Sequence, residues 1–487
     1  MTQTRQAIDE ASFKRAIEAV EARYSPRYHT LDRYDRFVDC TQYEHRSCGW
    51  WDDAVPLWER RPCIVYPITQ AAIASNVDLV LGEGRFPTLT TRPGENDDDW
   101  DDSGLSEDDS EIADRFMVEV IREAGLRAHL RELLSHGQGC GTGVGIYGAR
   151  FGRLFAETTR AKWCEPEFTD DGSVSRLAIQ YPYLDSYFDE RDRRWYYRAM
   201  LYRREIGDTT DVVMAPFDLS KHGDSAPSWT PQSTIEHGLG FCPVVWYPFL
   251  RTTSTVNQID GRPIHANALE EIEAHDLAIS QRHAAALQAG SPQICEFGVM
   301  PGSNPSEAGR MPQMARSGVA GDVVDPATGA VRSLNHIAPD GWVDGHHTPP
   351  ARKKGPGYVW QYASKEARVD MLELSEGGLK ALDENARDIR IKIAEALCVV
   401  FLDPENVKFA ATVSGKALET LRARQIDRCD MIRDDFGDKA IKPALSMLMR
   451  VASRVGVQLR TPGIKKALPV LAKFETPDQE SADVAGA

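Results

Sequence analysis

The stretch His136-Gly-Gln-Gly-Cys-Gly-Thr-Gly-Val-Gly-Ile-Tyr-Gly148 most invites a chemical reading, because Gly143, Gly145 and Gly148 stand at the spacing GxGxxG. Such glycines let the backbone approach a pyrophosphate when a strand precedes them and a helix opens after them, so that the helix N-terminus faces the phosphates. Here the order is reversed: helical periodicity precedes the glycines and β-prone sequence follows. A closely packed helix-to-strand turn is expected, with a nucleotide-binding enzyme using the Gly137–Gly148 loop as the remote alternative.

Other chemistries find less support. His275 and His283 lie eight residues apart on a helical pattern, whereas paired metal ligands on one helix face more often sit four apart, as in HExxH, which is absent. His346 and His347 read as loop residues. The nine cysteines include no CxxC pair, so neither a disulfide framework nor a zinc ribbon is suggested. There is no GxSxG and no Walker GxxxxGK[ST], and no carboxylate pair stands out as acid and base. The expectation is a protein that is not an enzyme, with no catalytic, cofactor-binding or metal-binding residue assigned.

Charge says more about partners. The formal net charge is −16, and no basic run exceeds Arg352-Lys353-Lys354. A chain that grips phosphates tightly is normally basic, so this one either avoids nucleic acid or handles it without holding it. The run Asp97-Asp98-Asp99-Trp100-Asp101-Asp102 is expected to be solvated, because like charges so close repel one another. Glu270, Glu271, Glu273 and Asp276 are read together as one acidic face of a helix. Asp403, Glu405, Asn406 and Lys408 offer polar side chains in a short loop whose conformations Pro404 limits.

Among the elements that would position these residues, helices are expected over 8–24, 67–81 and about 110–136, from apolar residues three and four apart. Residues 137–260 change texture to short β-prone runs, such as Val174–Tyr181, Trp195–Tyr202 and Val244–Pro248. The Asp170-Asp171-Gly172 turn signals a hairpin. Helical patterning returns over 261–290, gives way to a glycine- and proline-containing module at 291–363, and resumes over 364–397. There Leu372, Leu379, Leu382, Ile389 and Ile393 mark one stripe. A second long amphipathic helix is expected over 414–455, bent near Gly437. The chain has no apolar leader and no window approaching a membrane span, so a soluble protein is expected.

Several stretches in this order resemble the portal proteins of tailed bacteriophages: Tyr34-Asp-Arg-Phe-Val38 with Pro56-Leu-Trp-Glu-Arg-Arg-Pro62, Gly137 to Gly148, Asp170-Asp-Gly-Ser-Val-Ser-Arg176, Gly238-Leu-Gly-Phe-Cys-Pro-Val-Val245, the acidic helix at 264–289, and Val413-Ser-Gly-Lys-Ala-Leu418. The resemblance spans roughly residues 30–455. It implies an α+β, portal-like fold with a mainly helical core and an antiparallel β wing module. The expected parts are 1–136 (N-terminal helical part of the wing), 137–260 (β-rich wing), 261–290 and 364–397 (stem helices), 291–363 (a small α/β clip), 398–413 (tunnel loop), 414–455 (long wing/crown helix) and 456–487 (short crown or flexible tail). It further implies a homo-oligomeric ring, typically dodecameric, at the portal vertex of a virion and assembled in the host cytoplasm. Its partners would be the terminase large subunit, a head-completion or adaptor protein, and the major capsid and scaffolding proteins. Double-stranded DNA would pass through without specific binding, and no membrane would be involved. Asp403, Glu405, Asn406 and Lys408 would then lie in the tunnel loop, and Glu270, Glu271, Glu273 and Asp276 on the acidic stem face. The alternative reading is another virion assembly or scaffold protein.

Overall fold

In the computed structural model of the chain, Pro26 opens a helix. Proline lacks an N–H that the first helical turn could not use anyway, and Ser25 caps the turn by accepting from the Tyr28 N–H. The structure describes residues 25–44, 62–82, 86–90, 107–191, 193–222, 226–251, 259–290, 293–297, 322–324, 331–333, 342–343, 346–347, 368–372, 376–401, 415–455 and 471–473. The helix expected over 8–24, the acidic run 97–102 and most of the 398–413 loop lie outside the described residues.

The helices are α1 (Pro26–Asp39), α2 (Ile68–Leu81), α3 (Glu107–Glu123), α4 (Leu126–Cys140), the short α5 (Leu219–His222), α6 (Leu269–Gly290), α7 (Glu376–Leu397), α8 (Gly415–Phe436) and α9 (Lys442–Val455). The strands are β1 (Thr88–Thr90), β2 (Thr142–Arg150), β3 (Arg153–Arg160), β4 (Cys164–Phe168), β5 (Val174–Asp189), β6 (Arg194–Gly207), β7 (Thr210–Met214), β8 (Phe217–Asp218), β9 (Pro231–Glu236), β10 (Val244–Pro248), β11 (Gln293–Phe297), β12 (Asp322–Val324), β13 (Val331–Ser333), β14 (Trp342–Val343), β15 (His346–His347), β16 (Arg368–Leu372) and β17 (Leu471–Lys473). The architecture is α+β. The chain divides into one unit of Met1–Ala278 with Ala386–Ala487 and a second of Ile279–Asn385.

In the first unit, β10-β2-β3 form a three-stranded antiparallel sheet, and β4-β5-β6-β7-β9, with β8 beside β6, a six-stranded one. The turn at Asp170-Asp171-Gly172 joins β4 to β5, with Gly172 at φ 83, the left-handed conformation that glycine adopts without a Cβ penalty. The expected strands at 174 and 195 are the cores of longer ones, β5 and β6, paired along their whole length from Arg176↔Gly207 to Asp189↔Arg194. The single helix expected over 110–136 is two, α3 and α4. They part at Gly125, whose φ of 61 breaks the α-helical path, and α4 then runs on through Gly137–Cys140. Residues 137–140 therefore belong to a helix, not to the β module.

The main core joins α2, α3, α4, β2 and β10 to the ends of α6 and α7 and to α8–α9. On α2, Ile68, Ala72, Ile73, Val77, Val80 and Leu81 are all buried, as their spacing predicts. Phe436 meets Tyr247 edge to face at 5.0 Å, with Ile432, Ile441, Leu445 and Leu448 buried in the same core. Burying a side chain of this size contributes about 1.5–3 kcal/mol. Gly437–Ile441 form one π-helical turn between α8 and α9. Beyond Val455, β17 pairs with β1, Leu89 facing Ala472.

In the second unit, β11 and β16 form an antiparallel ladder from Gln293↔Leu372 to Phe297↔Arg368. This corrects the expectation of one helix over 364–397. Residues 368–372 are a strand, and the helix begins at Glu376. Leu372 therefore belongs to a sheet rather than to the stripe of Ile389 and Ile393. The expected helix over 261–290 likewise begins only at Leu269. His346 and His347 pair with Val343 and Trp342 as a short ladder. Arg282 Nη1 and Asp383 Oδ1, 2.5 Å apart, tie α6 to α7 within this unit.

Candidate functional site

The inward face of α6 is formed by Leu269, Ile272, His275 and Asp276, residues three, four and seven apart. Asp276 is wholly buried there. Its Oδ2 accepts from Gln42 Nε2 at 3.0 Å and from the Tyr43 hydroxyl at 3.1 Å, and its Oδ1 accepts from the Tyr66 backbone N–H at 3.0 Å. Burial pushes the Asp276 carboxyl up to about 6, against the pull of those three donors. Burial, and then the same carboxylate, raises the Tyr43 phenol. His275, 4.0 Å away, is pushed down to about 4 by burial and so is neutral at physiological pH.

The four acids read together from sequence therefore do not share a face. Glu270 is exposed and Glu271 and Glu273 are half-buried, whereas Asp276 turns into the core. What distinguishes Asp276 is that its position coincides with the apolar stripe of Leu269 and Ile272. That signal is present in the sequence, but Gln42 and Tyr43, which answer it, carry none.

Several other buried titratable groups among the described residues are paired. Lys162 Nζ lies 2.9 Å from Asp32 and 2.8 Å from Asp35, and Arg160 contacts Asp35 and Asp39, so α1 is fastened to the residues around β3. Desolvation opposes the charged forms of Asp32 and Lys162, but mutual attraction prevails: the Asp32 carboxyl sits below its ordinary value and the Lys162 ammonium above. Arg27 grips Asp260 with Nε at 2.6 Å and Nη2 at 2.9 Å, and Thr142 Oγ1 donates to the same carboxylate at 2.9 Å. His129 Nε2 and the Tyr147 hydroxyl are 3.0 Å apart, and burial lowers His129 to about 4. Among the described residues, no group of three or more His, Cys, Asp and Glu is arranged to hold a metal.

The glycines of the GxGxxG spacing lie within β2, after a helix and not before one. A Cβ on Gly143 would stand 2.6 Å from the Leu133 carbonyl oxygen, and one on Gly145 would stand 2.5 Å from the Tyr147 hydroxyl. Both glycines are required by close packing against α4 and its neighbours, which leaves no open cradle for a phosphate.

The end of α7 is the remaining place where sequence and geometry converge. Cys398 turns the chain with φ 52, and Arg428 Nη1 donates to the Leu397 carbonyl at 2.8 Å, satisfying one of the orphan acceptors at the helix end. Val399 is buried, and the Val400 N–H donates to Gln425 Oε1 at 3.3 Å. Gln425 Nε2 in turn reaches Ser75 and Asn76 of α2, each at 3.0 Å. Around this connection opens a groove of about 530 Å³, walled by Arg387, Arg390 and Ile391 of α7, Phe401, and Arg424 of α8. Asp403, Glu405, Asn406 and Lys408 follow directly in sequence but lie outside the described residues.

Comparison with protein-family profiles and with curated proteins finds no match. Among solved structures, a chain from "Neck of empty GTA particle computed with C6 symmetry" aligns over 84% of this chain and 82% of its own length, at 12% identity and a TM-score of 0.33. At that level the alignment carries no argument for the function of this chain.

Proposed function

We propose that this chain is a portal-type subunit: one copy in a closed ring at a single vertex of a tailed-phage capsid, through which DNA is packaged and later ejected. The observation that carries the reading is the order of the stretches from Tyr34 to Leu418, which resembles the portal arrangement over most of the chain. The separate unit Ile279–Asn385, entered through α6 and left through α7, agrees with a clip inserted between two stem helices. In that role it would meet the terminase large subunit and then a head-completion protein.

An acidic, net −16 chain suits a passage that DNA must slide through, because its field repels phosphates. Glu270, Glu271 and Glu273 would serve that end; Asp276 would not, since it is buried. Closed rings arise from heterologous contacts whose rotation closes. Electron microscopy of the purified protein, with sedimentation in parallel, tests the proposal: rings with a central hole are expected. Monomer alone at every concentration and salt condition would overturn it.

A further inference from the structure

We propose that the tip of the β2–β3 hairpin, Arg150-Phe151-Gly152-Arg153, is an anchor that seats Phe151 in a second copy of this chain. Phe151 is 104% exposed, against 66% for Met431, the next most exposed of the large apolar side chains described. Its backbone is as unusual as its exposure. Phe151 (φ 53) and Gly152 (φ 74) are the two central residues of the turn that the pair Arg150↔Arg153 closes. Left-handed residues in a two-residue hairpin turn are normally Asn, Asp or Gly, because a bulky side chain strains the backbone there. A phenylalanine serves neither the turn nor the core of its own chain. The stem presents it firmly: β2 pairs with β3 along its whole length and, from Thr142 to Ile146, with β10 on its other side. Val144, Ile146 and Tyr147 are buried. Arg150 is fixed by contacts of 2.7 and 3.2 Å to Glu157 and lies 4.2 Å over the Phe155 ring. An aromatic on so rigid a support loses little freedom when it binds, as the anchors of protein interfaces do.

The choice of a second copy as partner rests on the portal reading, which requires contacts between copies, and on complementarity. With Arg150 engaged by Glu157, Arg153 is the exposed cation of the tip. A surface that receives Phe151 and Arg153 together offers apolar side chains beside carboxylates. The chain carries such a surface: a cleft of about 560 Å³ between the β4–β5 turn, the residues leading into β10, and α9. Trp246, Pro443 and Met447 line it with Asp171 and Asp208, and both carboxylates are exposed. The two basic residues of the cleft have other contacts. Lys439 reaches Asp435, and the guanidinium carbon of Arg450 lies 3.9 Å from the Phe241 centroid. The volume admits one phenyl ring and the residues around it. Nucleic acid is a poorer occupant for the tip, because one exposed cation on a chain of net charge −16 gives little hold on phosphates.

The test compares the full-length parent with F151N by sedimentation over a range of protein concentrations. Asparagine suits the left-handed turn, so in dilute solution F151N should melt no lower than the parent. Its self-association should nevertheless be at least about tenfold weaker, as the loss of an aromatic anchor requires. The full-length chain with p-benzoylphenylalanine in place of Phe151 should, on irradiation, cross-link to a second copy within residues 239–247 or 439–450. Equal self-association of F151N and the parent overturns the anchor and leaves the ring reading standing. A parent that stays monomeric at every concentration overturns both. Association that depends on Phe151 but stops short of a closed ring sinks the ring and upholds the anchor. Cross-links to another surface of the second copy overturn the assignment of the cleft, and cross-links to an added DNA duplex in preference to protein overturn the choice of partner.

Discussion

The Tyr43 hydroxyl donates to Asp276 Oδ2 across 3.1 Å, joining the segment after α1 to the inward face of α6 over 233 positions of sequence. The contact places a carboxylate where a helix would otherwise bury an apolar residue. Because burial outweighs the three donors, the folded chain holds the Asp276 proton more tightly than the unfolded chain does.

The pH dependence follows from that preference. An unfolded Asp276 ionises near 3.8 and the folded one near about 6, so between those values the folded chain holds a proton that the unfolded chain has released. The stabilisation from this group is whole below 3.8 and is lost as pH rises through about 6. D276N cannot ionise, so its stability relative to the parent should rise between about pH 4 and about pH 7, by at most about 3 kcal/mol. Melting curves of both proteins across that range provide the check. A flat difference, or one of opposite sign, would mean that Tyr43, Gln42 and the Tyr66 N–H hold the carboxylate ionised.

Lys162 sits between Asp32 and Asp35 with only 10% of its side chain exposed. Removing the cation leaves two buried carboxylates facing each other, with Arg36 still beside Asp32 and Arg160 beside Asp35, so K162M should destabilise the first unit by about 1–3 kcal/mol. Adding D35N to K162M should recover part of that loss, since it removes one of the two facing charges. Denaturant titration of the two variants distinguishes this from a simple loss of packing, in which the second substitution would bring no recovery.

G143A tests the reading of the glycine run. The added methyl would press on the Leu133 carbonyl of α4 at 2.6 Å, and overpacking of this kind costs about 1–3 kcal/mol. The variant should melt at a lower temperature, and calorimetric titration of the parent with ATP or a dinucleotide should show no tight binding. Tight binding would restore a nucleotide role to the Gly137–Gly148 loop.

The portal reading makes a separate demand on residues 403–408. Replacing Asp403, Glu405 and Lys408 together with Ala should leave ring assembly intact while changing packaging efficiency or the length of DNA packaged. If the triple variant assembles and packages like the parent, the assignment of 398–413 to the channel constriction is wrong, whether or not the protein forms a ring.

What the sequence by itself determined is the part of the fold governed by near neighbours. The stripe from Ile68 to Leu81 and the hairpin at Asp170-Asp171-Gly172 appear where their spacing and turn chemistry put them, because helix periodicity and a left-handed glycine are local properties. The helix-before-strand order around the GxGxxG spacing was also legible, and it was enough to argue against a phosphate cradle. Tertiary structure decided whatever depended on a distant partner. Leu372 fits a helical stripe as well as it fits a strand, and only its pairing with Gln293 makes it a strand residue. Glu270, Glu271, Glu273 and Asp276 are alike as letters. Only the approach of Gln42, Tyr43 and the Tyr66 N–H takes one of them out of water, because the cost of burying a carboxylate is met by donors far away in the chain.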